Sequence, residues 1–118
     1  MAANLRKHGY ELIVFNRTPA KAELLREQGA TVAESPAQVA SQVDVLFTML
    51  SQPEAVEQTA LGADGFLNHL RPNSIWIDCS TFNPSFSKRM AAEAARRNVR
   101  FLDAPVSGSA PLAAEGKV

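Results

Sequence analysis

The sequence predicts an α/β fold built on a parallel sheet, and three observations lead there. Short, β-rich apolar runs alternate with stretches of helical character. Those runs are nearly continuous instead of strictly alternating, as suits strands buried on both faces of a parallel sheet. Three of the helical stretches open on a capping residue followed by proline, at Thr18-Pro19, Ser35-Pro36 and Asn83-Pro84. Strand, capped helix, strand, repeated along the chain, means right-handed crossovers.

Tyr10 to Asn16 (YELIVFN) is the first predicted strand, with Gly9 before it and Asn-Arg-Thr-Pro after it. A helix over 19–28 follows and ends at Gly29, a natural residue just past a helix C-terminus. Ala30 to Ala33 is a weaker strand. The next helix starts at Ser35-Pro36, where Gln38 has the spacing of a capping box. Val43 to Leu50 (VDVLFTML) is a strong apolar strand, and Ser51 with Glu54 again fits the capping-box spacing. Ser74 to Cys79 (SIWIDC) is the next strand. In residues 84–97, Phe86, Met90 and Ala94 recur every four positions, while Lys88, Arg89, Glu93, Arg96 and Arg97 fall mainly on the other side, as in an amphipathic helix. Val99 to Asp103 (VRFLD) closes the series.

Composition removes several function classes. Length allows one domain or part of one. Twelve Lys+Arg balance twelve Asp+Glu, so there is no electrostatic footprint for nucleic acid or an anionic membrane surface. The single cysteine, Cys79, cannot form an internal disulfide and fits a reducing cytoplasm. The best apolar run, Val43 to Leu50, is too short to span a bilayer and contains Asp44. Met1-Ala-Ala-Asn-Leu-Arg-Lys-His lacks the apolar stretch of a signal peptide.

In parallel α/β folds, ligands bind where strands end at their carboxyl edge and helices begin. The first such turn, Asn16-Arg17-Thr18, precedes a helix whose free N–H groups favour anions. An arginine there could pair with an adenosine 2′-phosphate, where an acid would accept from the ribose hydroxyl of NAD. Read alone, the triplet is more simply a capped helix with a solvated arginine. Met49-Leu50-Ser51 is either a loop along a cofactor or two core residues and a cap. Asp78-Cys79-Ser80-Thr81 offers hydroxyls at the same edge, with Asp78 orienting local backbone and Cys79 a buried structural thiol. The last turn runs from Asp103 through Ser107, Gly108 and Ser109. It could cradle a carboxylate with backbone N–H groups, or serve as a flexible connection. His8 and His69 sit in polar contexts and read as surface residues. Nothing resembles a metal cluster, a Ser-His-Asp set or a P-loop.

As an ordered set, VFNRTPAKAELL, GATVAESPAQVA, DVLFTMLSQPEAV, GFLNHLRPNSIWIDCST and FLDAPVSGS resemble the β-hydroxyacid dehydrogenases over essentially the whole chain. These include 3-hydroxyisobutyrate dehydrogenase and the glyoxylate/succinic semialdehyde reductases, and they are related to 6-phosphogluconate dehydrogenase. The resemblance implies a Rossmann-like, doubly wound parallel sheet and hydride transfer between NADP(H), or alternatively NAD, and a small carboxylate-bearing semialdehyde or hydroxy acid. It implies cofactor contacts at Asn16, Arg17, Thr18, Met49, Leu50, Ser51 and Thr81. Ser107, Gly108 and Ser109 would hold the substrate carboxylate. Ser109 stands where many members have a second glycine, and Ala55 where some have a cofactor-contacting asparagine. The resemblance further implies a homo-oligomer for a full-length member, with no nucleic-acid or membrane partner.

Against the family pattern, Met1-Ala-Ala-Asn-Leu already lies inside the first helix. The opening strand and its G-x-G-x-x-G turn, about fifteen residues, are then missing. In the order 3-2-1-4-5-6 that strand is central, so its two neighbours would lack a shared partner. The family's catalytic lysine lies beyond Val118, and Lys117 is not its equivalent. Residues 1–104 are therefore expected to be a partial dinucleotide-binding domain and 105–118 the substrate loop and the start of the following segment, without the C-terminal helical domain. The chain alone is expected to be inactive: a fragment of the oxidoreductase or, alternatively, a non-catalytic dinucleotide-binding or interaction remnant.

Overall fold

The computed structural model describes residues 1–107 and 110–117, so Gly108, Ser109 and Val118 lie outside the described residues. The elements run α1 (Ala2–Lys7), β1 (Ile13–Val14), α2 (Pro19–Arg26), β2 (Thr31–Val32), α3 (Pro36–Ala40), β3 (Val45–Thr48), α4 (Pro53–Leu61), β4 (Ile75–Asp78), α5 (Pro84–Ala95), β5 (Arg100–Asp103) and α6 (Ala110–Ala114). They divide into two units, one of Met1–Glu34 with Ser107–Val118, the other of Ser35–Val106. All strand pairs are parallel, in a two-stranded sheet of order β1-β2 and a three-stranded sheet of order β3-β4-β5.

In the first unit Ile13 pairs with Thr31 and Val14 with Val32. The ladder is flanked by Thr31 N–H donating to the Leu12 carbonyl and Ala33 N–H to the Val14 carbonyl, each at 2.8 Å. β1 is much shorter than the predicted Tyr10–Asn16, because only the stretch opposite the two residues of β2 has a ladder partner. Gly29 sits at φ +97° and turns the chain from α2 into β2, a conformation that favours glycine. The Arg6 guanidinium holds this turn by donating to the Gln28 carbonyl at 3.0 Å and the Tyr10 carbonyl at 3.1 Å. Asn4 Nδ2 donates to the Ala113 carbonyl at 2.7 Å and so ties α1 to α6. The sequence did not predict α6. Buried side chains among the described residues of this unit are alanines only, Ala22, Ala30 and Ala33.

The second unit holds the core. In β3-β4-β5 the register aligns Leu46, Trp76 and Phe101 on one face, with Thr48, Asp78 and Asp103 next along it. That face packs on Val56 and Ala60 of α4 and on Phe86, Met90 and Ala94 of α5. Trp76 is at its centre, fully buried, with edge-on ring contacts to Phe66 at 4.9 Å and Phe101 at 4.8 Å. Phe66, Leu67 and Leu70 reach the cluster from the turn after α4. Gly65 permits this turn, since a Cβ there would run into the Ala60 carbonyl. Burial on both faces, expected from the apolar runs, is not observed. Val45 and Phe47 of β3 are about half exposed, at 49% and 50%, and so is Leu102 of β5 at 48%. The reason is topological: the α4 and α5 side chains of the core meet the Leu46–Trp76–Phe101 face, and the pleat turns alternate residues away from it.

Candidate functional site

At the carboxyl end of β1, Asn16 Oδ1 accepts the Thr18 N–H at 2.8 Å, closing a tight turn across Arg17. Arg17 is exposed. Thr18 is the N-cap of α2 with extended backbone and Pro19 follows, as predicted, but its side chain makes no capping hydrogen bond. The Asn16 amide fixes the turn instead. The result is an exposed guanidinium beside the positive end of an eight-residue helix, with no carboxylate among Asn16, Arg17 and Thr18. An exposed guanidinium in this position can pair with an anionic group.

The carboxyl ends of β3 and β4 meet in the second unit. Met49 and Leu50 are exposed, at 54% and 37%, so they are not the two core residues that the bland reading of this turn required. Such a surface suits an aromatic ring or a sugar edge better than an ion. Beneath it lies a chain of buried polar groups. Trp76 Nε1 donates to Thr48 Oγ1 at 2.9 Å, and Thr48 Oγ1 donates to Asp78 Oδ1 at 2.9 Å. The same Asp78 oxygen accepts the Ser80 N–H at 3.2 Å, and Ser80 Oγ accepts the Leu50 N–H at 2.9 Å. Thr48 and Asp78 are register partners, which places the two polar side chains on one face. Thr81, next to Ser80, is exposed at the same edge.

One expected detail changes. Ser51 is not a capping-box residue: Gln52 is the N-cap of α4, extended at φ −133° and ψ 140°, because a residue before proline is driven from the helical region. The expectation holds at Ser35, whose Oγ accepts the Gln38 N–H at 3.1 Å, and Asn83 Oδ1 caps α5 through the Phe86 N–H at 2.9 Å. Cys79 is buried, and burial followed by the Asp78 carboxylate pushes its thiol above the ordinary range, so it is held protonated as a structural residue.

Ser107 is exposed and belongs to the first unit, while Gly108 and Ser109, expected beside it, lie outside the described residues. His8 and His69 are exposed. Among the described residues there is no group of His, Cys, Asp and Glu that could hold a metal, and no helix long and apolar enough to cross a membrane. Of the predicted contacts, Met49, Leu50, Ser51 and Thr81 are brought to one edge of one sheet; Asn16, Arg17 and Thr18 form a turn of their own. The role of Ser80 in holding Leu50 is not apparent in the sequence. Its only local sign is a second hydroxyl next to Thr81.

The family model described as the NAD binding domain of 6-phosphogluconate dehydrogenase matches residues 1–118. Mitochondrial 3-hydroxyisobutyrate dehydrogenase of Mus musculus is 41% identical over 118 residues, which is 100% of this chain and 35% of that protein. The cytokine-like nuclear factor N-PAC of Danio rerio is 36% identical over 116 residues, 98% of this chain and 25% of that protein. A solved structure, Psf3 in complex with NADP+ and 2-OPP, matches with a TM-score of 0.91 at 29% identity, over 98% of this chain and 41% of that one. The chain thus spans between a quarter and about a third of the length of these curated relatives.

Proposed function

This chain belongs to the family of the NAD-binding domain of 6-phosphogluconate dehydrogenase, and from that premise we propose that it forms the NADP-binding part of an oxidoreductase acting on a small β-hydroxy acid or its semialdehyde. The observation that carries this reading is the β1–α2 turn, where Arg17 is exposed at a helix N-terminus with no competing acid in the turn. Arg17 pairs with the adenosine 2′-phosphate, with Asn16 and Thr18 shaping the turn around it. Met49, Leu50 and Ser51 lie along the cofactor, and the Thr81 hydroxyl approaches its nicotinamide end. Bound there, the nicotinamide supplies or accepts the hydride. Ser107, Gly108 and Ser109 orient the substrate by its carboxylate through hydroxyls and backbone N–H groups. The likeness to 3-hydroxyisobutyrate dehydrogenase supports a substrate of this class, and the Psf3 complex supports NADP. With NADPH as donor the favoured direction is aldehyde reduction. Free, buried Cys79 suits a reducing compartment such as the cytoplasm, and the full-length protein assembles as a homo-oligomer on this reading.

The test is a titration of NADPH and NADH in the protein expressed from its complete reading frame. Arg17→Asp raises the NADPH Kd by at least about tenfold, as loss of a charge-assisted contact does, while NADH binding changes little. Equal losses for both remove the 2′-phosphate role. In the same protein, Ser107→Ala raises the substrate KM or lowers kcat with cofactor affinity unchanged; unaltered kinetics remove the carboxylate role. The 36% identity to a protein named as a nuclear factor favours a second reading, a non-catalytic dinucleotide-binding or interaction module. Saturable NADPH binding without turnover of any hydroxy acid selects it.

A further inference from the structure

We infer that Ser80 is a positioning residue for the cofactor loop: its side chain fixes the Leu50 backbone, and thereby the surface that Met49–Ser51 offers, without touching the cofactor itself. This rests on the reading of that loop given above. The parallel ladder between β3 and β4 ends at Thr48 opposite Asp78, and Cys79 N–H donates to the Thr48 carbonyl at 2.8 Å. Beyond that point the chains diverge, and the next connection is made by a side chain, Leu50 N–H to Ser80 Oγ at 2.9 Å. Ser80 is only 4% exposed, so water is a poor substitute for its oxygen. Its own placement is set by the core, through its N–H to Asp78 Oδ1 and from there through Thr48 Oγ1 to the Trp76 indole. A rigid, buried series of hydrogen bonds therefore ends at an exposed loop, whose height above the sheet is fixed by one hydroxyl.

The experiment compares the parent with Ser80→Ala, Ser80→Thr and Ser80→Cys in the protein expressed from its complete reading frame. It reads amide hydrogen exchange, NADPH affinity and steady-state kinetics. Ser80→Ala accelerates exchange at Leu50 by about tenfold, with Leu46 and Ile77 unchanged, because only the terminal connection is lost. The NADPH Kd and the KM for NADPH rise about three- to tenfold, the loss of one net hydrogen bond, while kcat changes less. Ser80→Thr, which keeps the hydroxyl, restores both. Ser80→Cys fills the site with a weaker acceptor and reproduces the loss even if the alanine variant unfolds. Faster Leu50 exchange with an unchanged Kd overturns the inference and leaves the NADP reading standing, and so does faster exchange spread through β3 and β4. Absence of saturable NADPH binding in the parent overturns that reading, and the inference with it.

Discussion

Replacing Thr48 by valine keeps the shape of a buried side chain and removes one oxygen. That oxygen accepts from Trp76 Nε1 and donates to Asp78 Oδ1, both at 2.9 Å. The indole is fully buried and Asp78 is 1% exposed, so neither group can turn to water. Orphaning the indole N–H costs about 1–3 kcal/mol, and removing a donor from a buried carboxylate costs about 1.5–3 kcal/mol. The added methyl offsets at most about 1 kcal/mol. The expected loss is about 2–5 kcal/mol, a large share of the roughly 5–15 kcal/mol that holds a domain together. Thr48→Ser supplies the comparison, since it keeps the oxygen and deletes a buried methyl for about 1 kcal/mol. Trp76 is the only tryptophan, so urea unfolding followed by its fluorescence reports on the core directly. Taking a slope of about 1.5 kcal/mol per molar urea, the valine midpoint falls by about 1–3 M, and the serine midpoint by less than about 1 M. A valine variant as stable as the serine variant would refute the reasoning, because the indole N–H and the carboxylate would then not depend on this hydroxyl.

Further outcomes follow from single residues. Cys79 resists alkylation in the native protein and labels readily in urea, as followed by mass spectrometry; rapid native labelling contradicts its burial. Its thiol is raised in the folded state, so its effect on stability is nil below the ordinary thiol pKa. Stability then falls as pH rises above that value, until the folded-state pKa is passed, and the fall is missing in Cys79→Ala. Asn83→Ala removes the acceptor for the Phe86 N–H and lowers unfolding free energy by about 1 kcal/mol, while Asn83→Asp is near neutral. In native-state hydrogen exchange, the amides of β4 are protected more than those of β1 and β2. β4 has a clustered apolar core over it, whereas the buried side chains among the described residues of the first unit are alanines.

Features decided within a few residues were legible in the sequence. Proline at the start of α2, α3 and α5, Gly29 at positive φ and the caps at Ser35 and Asn83 are local contacts, spanning three or four positions. At Ser51 the capping-box spacing misleads, although the deciding signal is local: Pro53 follows the same rule as the other three prolines and moves the cap to Gln52. Thr18 shows the complement, a correct cap position whose hydroxyl makes no capping bond, while its own N–H donates to Asn16 Oδ1.

By itself, then, the sequence determined the parallel α/β class, the order of its strands and of the helices between them, and the turns in which an arginine and several hydroxyls stand at carboxyl edges. Periodicity, capping chemistry and proline geometry act over a few residues and need no partner from elsewhere. Only the tertiary structure decided that Val45, Phe47 and Leu102 face outward, since an apolar run records a need for cover and not what supplies it. It alone joined Leu50 to Ser80, and Thr48 to Asp78, across thirty positions of chain. Strand register creates those contacts, and register depends on which strands pair and on the face they bury together around Trp76, neither of which is written in one segment alone.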